Sequence, residues 1–536
     1  MVKVFGLFKR IFSRLFAVAL TVILQVLIIV YFAFELTNKY IYFQIISSII
    51  GVLVFVGVIN KRIHPEHKLM WAFLMLLIPV FGVTLFILLE VNKPSKKRIN
   101  KFTTFDNKLI YKDEQYKKDV YEISKDYKGQ FKYLEKMSSF NTYKNTTCLY
   151  LKDGTEFYES LLEDLKNAKK FIFMEYFIIR PGKMWDSILK VLTDKVKEGV
   201  EVRFLYDDVG SANYVRGNYY KKLKELGINC AKFNTMIPLV SSYHNNRDHR
   251  KITVIDGHIG YTGGINIGDE YINITSPFGY WKDNAIKLVG EAVDSLTILF
   301  LQNFALASFS KQEIEPYLFK NSSSLPIISN ELVFPFGTGP SHLYYNNMAV
   351  DVLLNMINNA KKSIDITTPY LIIDYALTNA LISACSKGVK VRILIPGKPD
   401  KKLIYAFGKQ YALELMNYGI EIYSYTPGFN HAKSVLIDDE FAYVGTTNLD
   451  FRSLLHHYEC GVLIYNSSCL KDIDANFESD YLKSKLLKPE DIKTSFFTKV
   501  IVSFLRVFQS LLWKNIKIST KSPVSTYSRM GFSLFY

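Results

Sequence analysis

Long runs of apolar residues dominate the N-terminal pattern of the chain. The first, residues 15–34, is interrupted only by Thr21 and Gln25 and has the length, ~20 residues, that crosses a bilayer core as a helix. A second run follows at residues 41–58. A cleavable signal peptide fits less well, because the first run is longer than a signal core and no small-residue cleavage site follows it. The pattern therefore predicts N-terminal transmembrane helices and a multi-pass protein of the cell membrane.

The third apolar run, residues 69–91, differs from the first two. It contains Pro79 and Gly82, which would break a straight helix, so it is expected to span the membrane or to bend back. Clusters of basic residues flank all three runs. The positive-inside rule can place every cluster in the cytoplasm only if the third segment is re-entrant. We therefore expect a hinge at Pro79 and a cytoplasmic location for everything downstream.

The pattern changes twice after the apolar runs. Residues 92–141 are rich in Lys, Asp, Glu and Tyr without apolar periodicity, which predicts a basic, partly helical connector near the membrane surface or an ordinary solvated linker. From residue 142, helical periodicity, as in FYESLLEDLKNAKK, alternates with short β-rich runs such as FIFMEYFII and EVRFLYD. This alternation predicts an α/β fold built around a buried sheet.

The α/β region repeats itself. NAKKFIFMEYFII at 167–179 recurs as NAKKSIDITTPYLII at 359–373, and GVEVRFL at 199–205 recurs as GVKVRIL at 388–394. Matching segments in one order at nearly constant separation indicate a duplicated domain, whose two lobes can pack with pseudo-twofold symmetry. The predicted division is membrane segments at 1–91, a basic linker at 92–141, a first lobe at 142–325, a second lobe at 326–485, and an amphipathic C-terminal helix and tail at 486–536.

Charge and cysteine content narrow the class of partner. The chain has 66 basic and 50 acidic residues, a formal net charge of +16, which suits a partner that carries phosphates. Charge alone does not distinguish nucleic acid from an anionic membrane, and the apolar runs favour membrane lipids. The five cysteines are scattered without a Cys-x-x-Cys pair, which argues against a disulfide framework and a zinc site. We expect a reducing compartment, no metal, no cofactor and no nucleic-acid partner.

One polar motif occurs in both copies of the repeat, as HRKITVIDG and as HAKSVLIDD. In an extended strand His249 and Lys251 project to the same face, whereas Asp256, seven residues from the histidine, projects to the other. The corresponding residues of the second copy are His431, Lys433 and Asp438. All of these are candidate catalytic residues, and strand parity favours a structural turn or ion-pair role for the two aspartates.

Small-residue turns follow both motifs, TGGIN and GTTN. Their glycines permit close approach of a ligand to the backbone, and Asn266 and Asn448 offer amide donors. Paired His and Lys side chains without a metal suit phosphodiester transfer. One imidazole attacks phosphorus to form a phosphohistidine, the other protonates the leaving alkoxide, and the lysine and amide groups neutralise the phosphate oxygens. One reaction therefore needs two copies of the motif.

Four segments, HRKITVIDGHIGYTGGINIGDEY, FGYWKDNAIKLVGEAV, TPYLIID and HAKSVLIDDEFAYVGTTNLDFRSLLHHYE, resemble the phospholipase D superfamily and specifically bacterial cardiolipin synthases. The resemblance implies two phospholipase-D-like lobes that transfer a phosphatidyl group between two phosphatidylglycerol molecules, giving cardiolipin and glycerol. It also implies that His249 is the nucleophile and His431 the acid. By the same resemblance, Asp283 and Glu459 orient the two imidazoles.

The chain departs from the family's usual sequence near these acids. Lys282 stands where the family usually has Arg, and Asn284 with Ala285 replaces a Thr-His pair. His457 takes the place of an Asn before the second acid. Two other functions stay open: hydrolysis of a phospholipid headgroup or of nucleic acid by the same two histidines, and binding by a membrane-tethered basic protein with an idle site.

The last apolar segment, residues 496–513, predicts an amphipathic helix. The residues of its apolar face are Phe497, Ile501, Phe504, Phe508 and Leu511. We expect this helix either to lie on the membrane or to pack on the second lobe.

Overall fold

Two β-sheets form the body of the protein. The computed structural model describes residues 14–61, 64–91, 114–124, 127–138, 140–235, 245–321, 331–340, 348–492 and 495–507. The strands in chain order are β1 (Thr146–Leu151), β2 (Phe171–Tyr176), β3 (Glu201–Asp207), β4 (Asn229–Phe233), β5 (Lys251–Ile255), β6 (Ile259–Gly263), β7 (Tyr280–Lys282), β8 (Ala285–Gly290), β9 (Leu332–Thr338), β10 (Ser363–Thr367), β11 (Leu371–Ile372), β12 (Lys390–Pro396), β13 (Glu421–Tyr425), β14 (Gly428–Asn430), β15 (Ser434–Ile437), β16 (Phe441–Gly445), β17 (Leu449–Asp450), β18 (Glu459–Tyr465) and β19 (Ser484–Leu486).

Helices surround the sheets and precede them. In chain order they are α1 (Arg14–Lys39), α2 (Ile41–Ile59), α3 (Pro65–Leu77), α4 (Pro79–Phe86), α5 (Glu114–Ile123), α6 (Lys128–Ser138), α7 (Gly154–Asn167), α8 (Lys183–Lys197), α9 (Tyr219–Glu225), α10 (Val293–Ser308), α11 (Met348–Asn359), α12 (Tyr375–Ser386), α13 (Lys402–Met416), α14 (Phe451–Leu455), α15 (Cys469–Leu482) and α16 (Phe496–Val507).

The two large sheets share one order of seven strands, and the second sheet adds β19 at its edge. The first is β1-β8-β6-β5-β2-β3-β4, and the second is β9-β18-β16-β15-β10-β12-β13-β19. Three neighbouring strands of each sheet are parallel, namely β2, β3 and β4 in the first and β10, β12 and β13 in the second. An antiparallel strand, β5 or β15, pairs with the first of these three. The duplicated α/β fold predicted from the repeat is therefore confirmed.

Local sequence explains how these elements form. Asp153 accepts a hydrogen bond from the backbone N–H of Thr155 over 2.9 Å and so caps α7. Phe157, Leu161 and Leu165 are buried at the spacing that places residues on one helix face. The neighbouring strand β2 is buried along its whole length, as expected of a central strand covered on both faces.

The lobes are joined across a buried interface. Helix α10, most of whose residues are buried, contacts strands of the first sheet and β9 of the second. The ring of Phe300 on this helix stacks on Phe173 of β2 at 4.8 Å. Strand β7 from the first lobe also pairs in parallel with β14 from the second. This interface positions the ends of both sheets against each other.

The N-terminal helices contain the predicted break. Helix α3 ends at Leu77, the non-helical Ile78 follows it, and α4 begins at Pro79. The two arms fold back on each other so closely that a Cβ at Gly82 would lie 2.6 Å from the backbone of Leu74. Within the described residues, α2 is long and apolar enough to cross a membrane, whereas the apolar parts of α1 and of the segment from α4 onward are shorter.

The α3–α4 hairpin contacts the second lobe. The ring of His67 on α3 lies 6.4 Å from the ring of His456, and the backbone N–H of Tyr375 donates to Glu66 over 3.5 Å. Helix α16 also contacts α3. The hairpin is therefore part of the folded body.

The connector is more ordered than a solvated linker. Its described helices α5 and α6 pack on the lobes, with Phe131 fully buried, and residues 92–113 lie outside the described residues. Tyr116 donates a hydrogen bond to Glu291 over 2.9 Å, and Tyr133 donates to Asp351 over 2.7 Å. In this part the connector is partly helical, as the first of the two alternatives has it, and the solvated-linker alternative is wrong because its scattered aromatic residues are buried.

Some apolar residues of the C-terminal helix α16 are buried against the protein, and others are exposed. Val502 and Leu505 are buried, while Phe497 and Phe504 of the predicted apolar face are 76% and 57% exposed. The predicted continuation of that face beyond Val507 lies outside the described residues. Helix α16 thus packs on the body through one side and exposes an aromatic side.

Candidate active site

The histidines of both motif copies line one cavity. The cavity has a volume of about 730 Å³ and is lined by His249 and Asn266 from the first lobe and by His431 and Asn448 from the second. The two histidines stand just before β5 and β15, which occupy equivalent central positions in the two sheets. The fold therefore brings together histidines that are far apart in the sequence.

His249 contacts two consecutive residues of the second lobe. Its Nδ1 lies 2.9 Å from Oε2 of Glu459. Its backbone N–H donates to the carbonyl oxygen of Tyr458, also over 2.9 Å. Both the ring and the backbone of this histidine are therefore fixed by the other lobe.

His431 makes the same contacts in the opposite direction. Its Nδ1 lies 2.6 Å from Oδ2 of Asp283, and its backbone N–H donates to the carbonyl oxygen of Lys282 over 2.7 Å. A carboxylate at Nδ1 holds the proton on that nitrogen and leaves Nε2 with a lone pair. The structure places Asp283 and Glu459 where imidazole-orienting residues are needed, but each acid serves the histidine of the other lobe.

Burial and nearby charges control the protonation of both histidines. Burial, followed by Lys251, holds the pKa of His249 well below its ordinary value. Burial, followed by Lys433, lowers the pKa of His431 to about 4, while Asp283 acts in the opposite sense. Both imidazoles are therefore neutral near pH 7 in the substrate-free protein, and a neutral imidazole is the nucleophilic form.

The two motif lysines are buried beside their histidines. The Nζ of Lys251 donates to the carbonyl oxygen of His249 over 2.6 Å, and the Nζ of Lys433 donates to the carbonyl oxygen of His431. Burial lowers the pKa of Lys251 to about 8 and that of Lys433 to about 7. An ammonium has three donors, so each lysine can also bind a phosphate oxygen.

The motif aspartates bind the backbone of another strand. Asp256 accepts hydrogen bonds from three consecutive backbone N–H groups, residues 169–171, at 2.7–2.9 Å. Asp438 does the same with residues 361–363 at 2.6–2.8 Å. Neither aspartate is among the side chains that line the cavity. Their place in the candidate catalytic set is corrected accordingly: β5 and β15 end at Ile255 and Ile437, so each aspartate lies in the turn that follows and has a structural role.

The two predicted amides differ in how they are held. Asn266 accepts from the backbone N–H of Ile178 over 3.0 Å and donates to the hydroxyl of Tyr271 over 2.7 Å. Oδ1 of Asn448 is buried and has no hydrogen-bond partner among the described residues. Asn266 therefore supports the cavity wall, whereas Asn448 has a polar atom left for a ligand.

The carboxylate of Glu459 also receives contacts that the sequence did not indicate. The hydroxyl of Thr446 donates to it over 2.5 Å, the hydroxyl of Ser453 donates as well, and Nδ1 of His457 lies 3.3 Å away. Burial raises the pKa of Glu459, while Lys251 and these hydroxyls, which donate to its oxygens, favour the ionised carboxylate. In the sequence, His457 was noticeable because it replaces the usual Asn before the acid. No sequence feature indicated Thr446 or Ser453.

One group of side chains has the composition of a metal site. Ligand atoms of His249, His457 and Glu459 lie within 4.8 Å of one another. In the present arrangement the carboxylate is already paired with Nδ1 of both imidazoles, so a metal bound through these atoms would have to displace those contacts.

Comparison with known proteins identifies the family of this chain. The family model described as cardiolipin synthase, PLD-like domain, matches residues 161–276 and 353–481, one match in each lobe. Cardiolipin synthase 1 of Staphylococcus aureus (strain COL) is 34% identical over 458 residues, which cover 82% of this chain and 90% of that protein. The chain belongs to the bacterial cardiolipin synthase family.

A further sequence relative and one solved structure are also similar to this chain. An uncharacterized protein of Streptococcus mutans serotype c is 38% identical over 466 residues, covering 85% of this chain and 98% of that protein. Phosphatidylserine synthase of Haemophilus influenzae shares the fold, with a TM-score of 0.55 at 16% identity over 73% of this chain and 100% of that one.

One departure from the usual cardiolipin synthase sequence has a structural explanation. The Nζ of Lys282 donates to the carbonyl oxygen of Lys152 over 2.6 Å and to Asn476 over 2.7 Å, and it lies 3.4 Å from Asp480. Lys282 therefore joins β7 to α15, and its side chain is not among those that line the cavity.

Proposed function

We propose that this protein is a cardiolipin synthase that transfers a phosphatidyl group from one phosphatidylglycerol to another, forming cardiolipin and releasing glycerol. The observation that carries the proposal is the reciprocal pair of histidine–carboxylate contacts, at 2.9 and 2.6 Å, beside one cavity. Family membership and the net charge of +16 support a phospholipid anion as substrate.

In the first step, Nε2 of His249 attacks the phosphorus of the donor lipid, and the bond from phosphorus to the glycerol oxygen breaks. His431 gives its proton to the departing alkoxide. The phosphodiester anion offsets the charge of Lys433, which otherwise lowers the pKa of His431, so substrate binding favours the protonated acid. Asp283 also favours that form, which supports His431 as the acid.

In the second step, a hydroxyl of the acceptor lipid returns its proton to His431 and attacks the phosphorus. The bond between phosphorus and His249 breaks, which releases cardiolipin and restores the neutral nucleophile. Lys251 and Lys433 stabilise the phosphate oxygens in both steps. The reaction exchanges one diester for a similar one, so it is reversible.

Product analysis tests this function. Purified protein mixed with phosphatidylglycerol vesicles, without nucleotide or added metal, should give cardiolipin and glycerol by mass spectrometry. Excess glycerol should convert cardiolipin back to phosphatidylglycerol. A His249→Asn variant purified in parallel excludes a contaminating lipase. Phosphatidic acid as the dominant product would overturn the synthase assignment in favour of hydrolysis.

We also propose that α1 and α2 cross the cell membrane and that the α3–α4 hairpin is re-entrant, which leaves the lobes in the cytoplasm. The first two helices expose large apolar side chains to their surroundings, among them Leu27 at 58% and Leu53 at 66%. A bilayer would cover these surfaces. The exposed aromatic side of α16, which contacts α3, would then lie at the same membrane surface.

Cysteine labelling in intact cells tests this topology. After replacement of the five native cysteines, a Tyr40→Cys variant, between α1 and α2, should react with a membrane-impermeant maleimide from outside. A Lys93→Cys variant should react only after the cells are permeabilised. External labelling at position 93 would instead indicate three full crossings.

A further inference from the structure

The second-lobe side of the cavity carries two cations that the His–Lys motifs do not use. Arg452 lies on the short helix α14, and Lys401 immediately precedes α13. Both line the cavity together with His249 and His431. They are close enough that the charge of Arg452 contributes to lowering the pKa of Lys401, after the larger effect of burial. Two like charges therefore share one part of the cavity wall.

The guanidinium of Arg452 has a nitrogen that is not hydrogen-bonded to the described residues. Its Nε is buried and meets no hydrogen-bond partner among the described residues. Burial lowers its pKa to about 10, and the neighbouring Arg247 contributes in the same direction. The nearby carboxylate of Asp450 accepts from the backbone N–H groups of Arg452 and Ser453, so it caps α14. Asp450, Asp207 and Glu459 offset part of the charge of Arg452, and its buried Nε is left as a donor for an anion.

The opposite side of the cavity provides a contrast. Arg180, from the first lobe, lies 3.3 Å from Glu270 and stacks on the ring of Tyr214 at 5.2 Å. Its charge is thus paired within the protein. Lys401 also has protein partners, the hydroxyl of Tyr370 at 3.2 Å and Asp400 at 3.7 Å, so the Nε of Arg452, unpartnered among the described residues, is the feature that distinguishes the two sides of the cavity.

We infer that Arg452, assisted by Lys401, binds the phosphate of the acceptor lipid. The inference rests on the proposed function and assigns its second substrate a subsite. The donor phosphate is the one attacked by His249, whereas the acceptor carries its own phosphodiester at the far end of the glycerol whose hydroxyl attacks. Two anions separated by one glycerol must fit the cavity together. A guanidinium binds phosphate through parallel N–H donors, which suits an anion that is held and not transferred.

A partition experiment separates this role from the chemical steps. Phosphatidylglycerol in detergent micelles serves as donor, and deuterated glycerol competes with phosphatidylglycerol as acceptor. The same phosphohistidine then gives labelled phosphatidylglycerol with the neutral acceptor and cardiolipin with the anionic one. In Arg452→Gln the ratio of cardiolipin to labelled phosphatidylglycerol should fall roughly tenfold, because one charge-assisted contact to the acceptor is lost. Arg452→Lys should give an intermediate ratio.

The control is Lys471→Gln, which removes one positive charge from the exposed face of α15 and should keep the wild-type ratio. An unchanged ratio in Arg452→Gln would overturn the inference, as would an equal loss of both products. Wild-type protein that forms neither product would instead refute the proposed function.

Two further measurements apply if Arg452→Gln does not fold. Lys401→Gln should lower the same ratio, by a smaller factor. Wild-type protein offered equal concentrations of glycerol and glycerol 1-phosphate should transfer the phosphatidyl group mainly to the phosphorylated alcohol, as seen by mass spectrometry. Preference for glycerol would overturn the assignment of an anion subsite.

Discussion

Nδ1 of His249 in the first lobe lies 2.9 Å from the carboxylate of Glu459 in the second. His431 and Asp283 form the converse pair at 2.6 Å. Each lobe therefore supplies the imidazole of one pair and the carboxylate of the other. Neither lobe alone holds an oriented histidine, so the duplicated domain acts as a single catalytic unit.

The exchange of acids between lobes can be tested with a nitrophenyl phosphodiester, whose leaving group needs no proton. Asp283→Asn should retain the first burst of nitrophenolate, because it disturbs only the acid His431. Glu459→Gln should reduce that burst roughly 10²–10⁴-fold, because it disturbs the nucleophile His249. The reverse pattern would mean that Asp283 serves the nucleophile, either because the two histidines have exchanged roles or because each acid serves its own lobe, and the site of the covalent adduct distinguishes these.

The covalent intermediate should accumulate in one histidine variant only. With the same substrate, His431→Asn should form the phosphohistidine at His249 but resolve it slowly, since no base activates the acceptor. Mass spectrometry should show an acid-labile adduct on His249 in this variant and none in His249→Asn. An adduct on His431 in the latter would reverse the two roles, and absence from both would contradict covalent catalysis.

The motif lysines should set the alkaline limit of activity. Their pKa values of about 7 for Lys433 and about 8 for Lys251 mean that rising pH removes charges that bind phosphate. The kcat/KM of the wild type should therefore fall as pH rises through 7 to 8. Arginine stays protonated, so Lys433→Arg should remove the decrease of kcat/KM near pH 7, even if the maximal kcat/KM of this variant is lower than that of the wild type. An unchanged limb would exclude Lys433 as its cause.

Replacing either motif lysine by alanine should lower activity much more than its deprotonation does. Lys251→Ala and Lys433→Ala each remove a buried donor to the phosphate and should lower kcat about 10²–10³-fold in folded protein. Steady-state kinetics together with circular dichroism would check this. A fully active, folded alanine variant would show that the lysine does not contact substrate.

Removal of a motif aspartate should affect stability first. In Asp256→Ala three backbone N–H groups lose their shared acceptor, and alanine must adopt the left-handed backbone conformation at φ 52°. We expect a loss of about 2–3 kcal/mol in the free energy of unfolding, measured by denaturant titration in detergent. Glu440→Ala, an exposed site after the equivalent turn, should change it by less than ~0.5 kcal/mol. A stable but inactive Asp256→Ala protein would indicate a catalytic role instead.

The sequence by itself determined the features that depend on local order. The repeat predicted two equivalent sheets, the alternation of apolar residues predicted the strand that begins at Lys251, and Pro79 marked the break in the third apolar segment. These features follow from backbone geometry over a few residues, where side-chain period and a missing N–H have fixed consequences. The orienting acids, Asp283 and Glu459, were found through family resemblance and not through spacing.

Only the tertiary structure decided which groups meet. Glu459 is 210 positions from His249, and Asp283 is 148 from His431, so no local period connects them. Their pairing is set by the packing of one lobe against the other, which also makes Arg452 part of the wall of the cavity that both histidines line. The pKa shifts arise in the same way, because desolvation and the approach of like charges exist only once the interface is closed.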